Sequence, residues 1–174
     1  MRFALRRFTD DDLDRVSVLN ADPEVMRYLG KPQSRDEVAA NEMPRLTREH
    51  FGNLGFWAAF VDGEFIGWFC AEPQGDDEVM IGYRIARRYW DHGYATEGAR
   101  LMVSYAQASG AKRIFATTMA VNSASRRVLE KAGLHHVRTW HGEWDDPLPG
   151  AEQGDVDYEF RSAKSPSRVP SDDQ

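Results

Sequence analysis

The chain has 174 residues and a single cysteine, Cys70, so no internal disulfide is possible and a reducing compartment is expected. It has no apolar run near the about 18 residues that a membrane span requires, and membrane attachment is not expected. The opening MRFALRRFTDDD turns acidic without an apolar core, unlike a secretory signal, so the cytoplasm is the expected location. Basic charge is also short. Lys plus Arg number 22 against 28 Asp plus Glu, a net charge of -6, which disfavours a nucleic-acid-binding role. Neither GxxxxGK[ST] nor GxGxxG occurs, which excludes the two commonest phosphate loops.

What is present is the composition of one globular domain. The hydrophobic fraction is 41%, with nine Phe, six Tyr and five Trp, and a chain of this length buries about 70% of its unfolded surface. Phe3 to Phe8 alternates as a first strand, and Thr9 with Asp12 resembles a capping box ahead of a helix carrying Leu13, Val16 and Leu19. A short helix is predicted over Glu24 to Leu29. Ser34 to His50 reads as polar helix, broken or kinked at Pro44. In FWAAFVDGEFIGWFCAE, Asp62 and Gly63 separate two apolar runs as in a tight hairpin, and EVMIGYRI supplies a third strand.

After Gly93 the period changes from two to 3.6. Ala95, Ala99, Met102, Val103 and Ala106 form one helix face, which Gly110 ends. KRIFATTMA is a strand, and SASRRVLEKAG is a helix with Ala124, Val128, Leu129 and Ala132 inward. LHHVRTWHGEW and DVDYEFRSA are two more strands. The expected fold is a mixed α/β sheet flanked by helices, with one domain over 1–161. The Ser/Pro/charge-rich segment 162–174 is expected to be disordered.

The stretch ARRYWDHGYATEGARL joins the third strand of that sheet to a helix. A helix start leaves about four N–H groups unpaired and carries about half a positive charge, so it suits an anion; a glycine there lets phosphate oxygens reach the backbone. Arg87 and Arg88 add charge nearby. The alternative is a plain strand-to-helix turn with solvated arginines. Downstream, Asn122 and Ser125 stand three apart at the next helix start. One of them is an ordinary N-cap, which leaves the other to face the cleft beside the middle strand.

These two stretches in this order, ARRYW with DHGYATEGA and then NSASRRVLEKAGL, are similar to the GNAT superfamily of N-acyltransferases, and most like its RimJ/RimL-type ribosomal-protein N-terminal acetyltransferases. The family loop, Arg/Gln-x-x-Gly-x-Gly/Ala, falls on Trp90, Asp91, His92, Gly93, Tyr94 and Ala95. The resemblance covers Met1 to about Arg161 and departs from the family pattern in two places. Asp91 puts a carboxylate by the anion site and is expected to point outward; Leu134 stands where an aromatic residue is usual. The resemblance implies the acyl-CoA N-acyltransferase fold with splayed central strands, acetyl-CoA as acyl donor, an amine acceptor and possible homodimerisation. By the same resemblance, Arg84 and Ile85 would offer backbone groups to the pantetheine arm, the amides from Asp91 to Thr96 would hold the pyrophosphate, Asn122 would bond the pantetheine, and Ser125 would stand near the thioester sulfur.

Transfer to an amine requires that amine to be neutral. An α-amine near pKa 8 is neutral about a tenth of the time at pH 7, a lysine-type amine only about once in 2500. A backbone N–H near Ile85 is suited to polarise the carbonyl, and Ser125 to protonate the departing thiolate. The competing role for Ser125 is a hydrogen bond within its own helix. Glu78, at the start of the middle strand, is the candidate general base acting through water, set against an ordinary exposed strand-edge glutamate. Tyr83 and Tyr158 either line the cleft or pack in the core. Cys70 sits mid-strand with no histidine nearby in sequence, the pattern of a structural thiol rather than an acyl carrier. His135 and His136 are neighbours on a strand and point to opposite faces, so with His141 they make a poor metal site. Glu143, Asp145 and Asp146 form either a solvated loop tip or a receiver for a cationic substrate, and Trp140 and Trp144 are candidate dimer contacts. The reading from a different class is a noncatalytic acyl-CoA-binding sensor or interaction module on the same fold.

Overall fold

The computed structural model describes residues 1–49, 52–75 and 77–161, so the expectation of disorder over 162–174 lies outside the described residues. The chain begins with β1 (Ala4–Arg6), shorter than the alternation from Phe3 to Phe8 suggests, and a 3₁₀ turn over Asp10–Asp12. The buried Asp12 carboxylate accepts from the Thr9 N–H at 3.1 Å. The same carboxylate receives both Nη atoms of Arg6 at 2.6 and 2.7 Å and Nη1 of Arg15 at 3.1 Å. From this clamp starts α1 (Leu13–Ala21), whose buried positions are Val16, Leu19 and Asn20.

The next helix, α2, is only Pro23–Met26, capped by the Asp22 carboxylate on the Glu24 N–H at 2.9 Å. It ends short of Leu29. Ser34 and Glu37 form a capping box that opens α3 (Arg35–Glu37). The chain then widens into a π turn over Val38–Glu42 and continues as α4 (Met43–Leu46). Pro44 therefore does not break the helical run. A wider turn before it accommodates the amide hydrogen that proline lacks.

Strands β2 (Gly55–Val61) and β3 (Glu64–Pro73) make the hairpin around Asp62 and Gly63, whose φ angles of 50° and 82° give the doubly left-handed turn that matches strand twist. There follow β4 (Glu78–Ile85), α5 (Tyr94–Ala108), β5 (Arg113–Met119), α6 (Ser123–Lys131), β6 (Leu134–Trp140) and β7 (Asp155–Phe160). Two details differ from the sequence pattern: β6 stops at Trp140, and Ala124 is exposed, leaving Leu129 in α6 and Ala132 at its C-cap as the deeply buried residues.

The seven strands form one sheet in the order β1-β2-β3-β4-β5-β7-β6. Only the β4–β5 pair is parallel. Helices α5 and α6 cover one face, where Phe69, Ile81, Ala99, Met102, Leu129 and Tyr158 pack together. Helices α1 to α4 cover the other over Val16, Val38, Leu46, Phe56, Trp68 and Cys70. Gly98 lets α5 sit directly on the sheet, since a Cβ there would meet the Phe69 ring at 2.0 Å.

The β4–β5 pairing is brief. Register holds at Glu78↔Arg113, Val79↔Ile114 and Met80↔Phe115 and then stops, although β4 runs on to Ile85 and β5 to Met119. Beyond Met80, β4 stays with β3, while β5 pairs with β7 from Phe115 to Met119. The two central strands part into a wedge, as the splayed-strand expectation holds.

Candidate active site

The wedge exposes backbone. The Ala86 N–H bonds the Ile66 carbonyl on β3 at 2.9 Å, and on the other edge the Asp77 carbonyl accepts from the N–H groups of Lys112 and Arg113 at 2.8 and 3.1 Å. Peptide groups alternate sides along a strand. Tyr83 and Ile85 therefore turn their backbone N–H and C=O toward the wedge, whereas those of Arg84 face β3. Of the two residues assigned backbone contacts from the resemblance, Ile85 is placed for one and Arg84 is not. The Arg84 side chain points to the α1–α4 face, where its Nη1 donates to Asn20 Oδ1 at 2.6 Å.

The loop after β4 is built by its own side chains. The indole Nε1 of Trp90 donates to the Ile85 carbonyl at 2.7 Å, and His92 Nδ1 lies 2.6 Å from the Trp90 carbonyl. Asp91 (φ 61°) and Gly93 (φ 80°) take left-handed conformations, and Gly93 is the N-cap of α5. The first helical bond is from the Glu97 N–H to the Gly93 carbonyl at 3.1 Å, so the N–H groups of Tyr94, Ala95 and Thr96 lie in the open first turn. Asp91 is exposed.

A residue without any sequence signal completes this loop. Arg2 donates through Nη1 to the His92 carbonyl at 2.8 Å and through Nε to Glu97 Oε2 at 2.9 Å. Its Nη2 stands 3.1 Å from where a Cβ on Gly93 would be. Gly93 thus accommodates both a left-handed φ and an arginine. Of the two arginines expected to supply charge, Arg88 lies 3.2 Å from Glu64, and both are exposed.

Across the wedge, the Asn122 side chain caps α6 by accepting the Ser125 N–H at 3.1 Å. That frees the Ser125 hydroxyl, which lies 2.9 Å from the Tyr83 hydroxyl. Burial pushes the Tyr83 phenol up to about 12, against the opposing effect of the Ser125 hydrogen bond, so it holds its proton at neutral pH. Arg126 fastens the start of α6 through Nε to the Tyr158 hydroxyl at 3.1 Å and Nη1 to the Ala120 carbonyl at 3.2 Å. Tyr158 is a core residue.

Glu78 is not brought to this place. It lies at the closed end of the wedge, its carboxylate 3.0 Å from Arg113, which also holds Glu159 at 2.6 Å. Five strand residues, about 16 Å at the usual rise, separate it from Tyr83. Cys70 is fully buried, and burial pushes its thiol up to about 12, consistent with a structural role. Trp140 is half-buried and tied to Asp157 through its indole N–H at 3.1 Å, whereas Trp144 is 55% exposed. Asp146 is paired with Lys31, which leaves Glu143 and Asp145 as the unpaired acids of that loop tip among the described residues. Among the described residues, no group of three His, Cys, Asp or Glu side chains is arranged to hold a metal ion. No helix there is long and apolar enough to cross a membrane.

A sheet parted between β4 and β5, a helix N-terminus opening at the end of β4 and a hydroxyl pair beside the gap make up the candidate site. Residues 2–135 match the family model for the acetyltransferase (GNAT) domain, and the chain belongs to that family, whose members take the acyl group from acetyl-CoA. It is 36% identical over 153 residues to the FsC-acetyl coenzyme A-N(2)-transacetylase of Aspergillus fumigatus; the match covers 80% of this chain but 65% of that protein's length. It is 35% identical over 161 residues to the uncharacterized protein YkkB of Bacillus subtilis, with 84% and 89% covered. A solved structure of the ribosomal L7/L12 α-N-protein acetyltransferase RimL with coenzyme A superposes with a TM-score of 0.75 at 17% identity, over 91% of this chain and 93% of that one. At that identity the likeness shows the fold alone.

Proposed function

We propose that the protein moves an acetyl group from acetyl-CoA to a primary amine by direct attack in a ternary complex. The observation that carries this reading is the wedge itself, with the Tyr83 backbone and the Ile85 N–H turned into it beside the first turn of α5 and the Ser125 hydroxyl, while Trp90 takes the Ile85 carbonyl. The pantetheine arm lies along the backbone of Tyr83 and Ile85 and against the Asn122 side chain. The Ile85 N–H polarises the thioester carbonyl. The amides from Asp91 to Thr96, with Trp90 holding the Ile85 carbonyl behind them, take the pyrophosphate.

Ser125 acts on the leaving group. Tyr83, protonated at neutral pH, donates to Ser125 Oγ, and the serine proton then points to the departing sulfur. A serine hydroxyl is far too weak an acid to protonate a thiolate fully, so its contribution is a hydrogen bond that stabilises developing charge; the proton that completes the thiol comes from the attacking nitrogen. The acceptor is a protein N-terminal α-amine or a small-molecule amine. The Trp90 loop followed by Tyr94-Ala95-Thr96-Glu97 supports the RimJ/RimL-like subtype, and with it the α-amine, which reaches its neutral form more easily than a lysine-type amine.

The test is thiol release from acetyl-CoA across a panel of peptide N-termini, amino acids and polyamines. Ser125→Ala is expected to lower kcat about 10- to 100-fold while coenzyme A binding stays within about threefold. Tight binding of acetyl-CoA without transfer to any amine, unchanged by Ser125→Ala, would identify a noncatalytic sensor instead. Homodimerisation through the Trp144 surface is tested separately by sedimentation of the wild type and Trp144→Ser.

A further inference from the structure

A base for the amine is the part of the site that Glu78 does not supply, and the opposite face of the sheet holds a candidate. The α5 loop and α6 are on one face of the sheet, so the donor's nucleotide end occupies that side of the wedge. An acceptor then approaches from the face covered by α1 to α4. The side chain presented there between the Tyr83 and Ile85 peptides is Arg84, 8% exposed and held by Asn20.

Facing Arg84 is Glu42, in the π turn. Glu42 occupies the inward stripe of its helical run with Val38, Met43 and Leu46, all three of them buried. A carboxylate in an apolar stripe costs stability unless it is matched. The match is incomplete: Glu42 Oε2 lies 3.9 Å from Arg84 Nη1, beyond hydrogen-bond length, and has no hydrogen-bond partner among the described residues. The two other buried side-chain atoms in that condition are Arg84 Nε and Trp68 Nε1, and Trp68 is the cross-strand neighbour of Arg84, its ring 5.2 Å from the guanidinium. Three orphaned atoms, one acceptor and two donors, thus gather on the acceptor side of the β4 end. The second carboxylate of the region, Glu72, is already taken by Arg45, through Nε at 3.2 Å and Nη2 at 2.5 Å.

We propose, resting on the acetyltransferase reading above, that Glu42 is the carboxylate that receives the acceptor's amine, with Arg84 as its positioning partner. The amine arrives as an ammonium ion, hydrogen-bonds the Glu42 carboxylate, whose side chain is 15% exposed, and gives it one proton. The freed nitrogen lone pair forms the C–N bond at the thioester carbonyl, and the C–S bond breaks with its electrons on sulfur. A second nitrogen proton passes to that sulfur to give the thiol. The proton on Glu42 returns to solvent, so the net products are amide, free thiol and one proton. Arg84, fixed by Asn20 and 3.9 Å from Glu42 Oε2, positions the Glu42 carboxylate at the β4 end.

The experiment compares wild type, Glu42→Gln and Glu42→Asp on two acetyl acceptors sharing one scaffold: a basic primary amine from the panel and an analogue whose amine is already neutral at the working pH. Coenzyme A binding is measured alongside. For Glu42→Gln, kcat/KM on the basic amine is expected to fall about 100- to 1000-fold, with at least tenfold less loss on the neutral analogue and unchanged coenzyme A affinity. Glu42→Asp should recover part of the loss. If Glu42→Gln does not fold, the same basic-to-neutral comparison in Glu42→Asp carries the test. Equal losses on both amines, or no loss, would overturn the assignment of Glu42 and leave the acetyltransferase reading standing. A wild type that binds coenzyme A and acetylates no amine overturns that reading, and the assignment with it.

Discussion

Asn122 caps the helix through its own side chain on the Ser125 N–H, and the Ser125 hydroxyl is turned instead to Tyr83. The pair is legible in the sequence as two polar residues where one cap is needed. Tyr83 is not, since its partner lies 42 residues away on another element and no periodic pattern marks such a contact. The phenol meets the serine at its hydroxyl, 2.9 Å away, and more distantly at its carbonyl, at 3.4 Å. Tyr83→Phe removes this contact while keeping the ring that packs against Phe69 at 6.4 Å. Expected is a fall in kcat of about 3- to 30-fold with KM for acetyl-CoA nearly unchanged, because one hydrogen bond contributes about 0.5–2 kcal/mol. Steady-state kinetics on the two enzymes checks this. An equal rise in KM with kcat constant would make Tyr83 a binding residue instead.

At the scale of elements, the strand–loop–helix unit from Glu78 to Ala108 was readable almost to the residue, because the change of period falls on Gly93 and the loop has its own signature. The sequence cannot say which end of a parallel pair opens. That depends on register, and the pairing of Glu78 with Arg113 puts the wedge at the far end of β4 and takes Glu78 out of it. Nor does it reveal that the first residues of the chain close the anion loop. The contribution of Arg2 is separable from that of Gly93. Gly93→Val forces a β-branched residue to φ 80° and pushes a Cβ toward the Arg2 guanidinium, so it is expected to cost about 1–3 kcal/mol of stability and to weaken coenzyme A binding at least tenfold. Arg2→Ala leaves the backbone alone, and its side chain is 56% exposed. It should barely change the melting temperature yet weaken coenzyme A about 3- to 10-fold, less so at high salt, because an exposed cation acts through a screened field. Calorimetric titration with coenzyme A and with pantetheine separates the two ends of the ligand. Loss of affinity for pantetheine as well would place the effect of Arg2 in the wedge and not at the loop.

For the molecule as a whole, one sheet carries α5 and α6 on one face and α1 to α4 on the other, and the second layer is anchored by the Asp12 clamp at the head of α1. That clamp gives stability a defined acid limit. Burial pushes the Asp12 carboxyl up, but the hydrogen bonds from Arg6 and Thr9 and the charges of Arg6 and Arg15 outweigh it and hold it below the usual carboxylate range. At Asp157 burial is likewise outweighed by Arg138, Thr117 and Trp140. A carboxyl whose folded pKa is depressed stabilises the fold fully above its unfolded pKa of about 3.9 and loses that contribution as pH falls through the lower, folded value. Asp155 works in the opposite direction: burial, with the Asp157 charge beside it, raises its pKa, so its cost is relieved on acidification and blunts the loss. Wild-type stability should therefore hold from neutral pH to about 4 and decline below it. Asp12→Asn keeps the shape but removes the charge that Arg6 and Arg15 face. With those arginines partly solvated, the expected cost at pH 7 is about 1–3 kcal/mol. Urea unfolding at pH 7, 5 and 3 measures it. The gap between variant and wild type should narrow at pH 3, below the unfolded carboxyl's pKa of about 3.9, because the unfolded chain then binds a proton that the folded Asp12, with its lowered pKa, resists; a gap of the same size at all three values would mean that Asp12 acts through packing and not through its ion pairs.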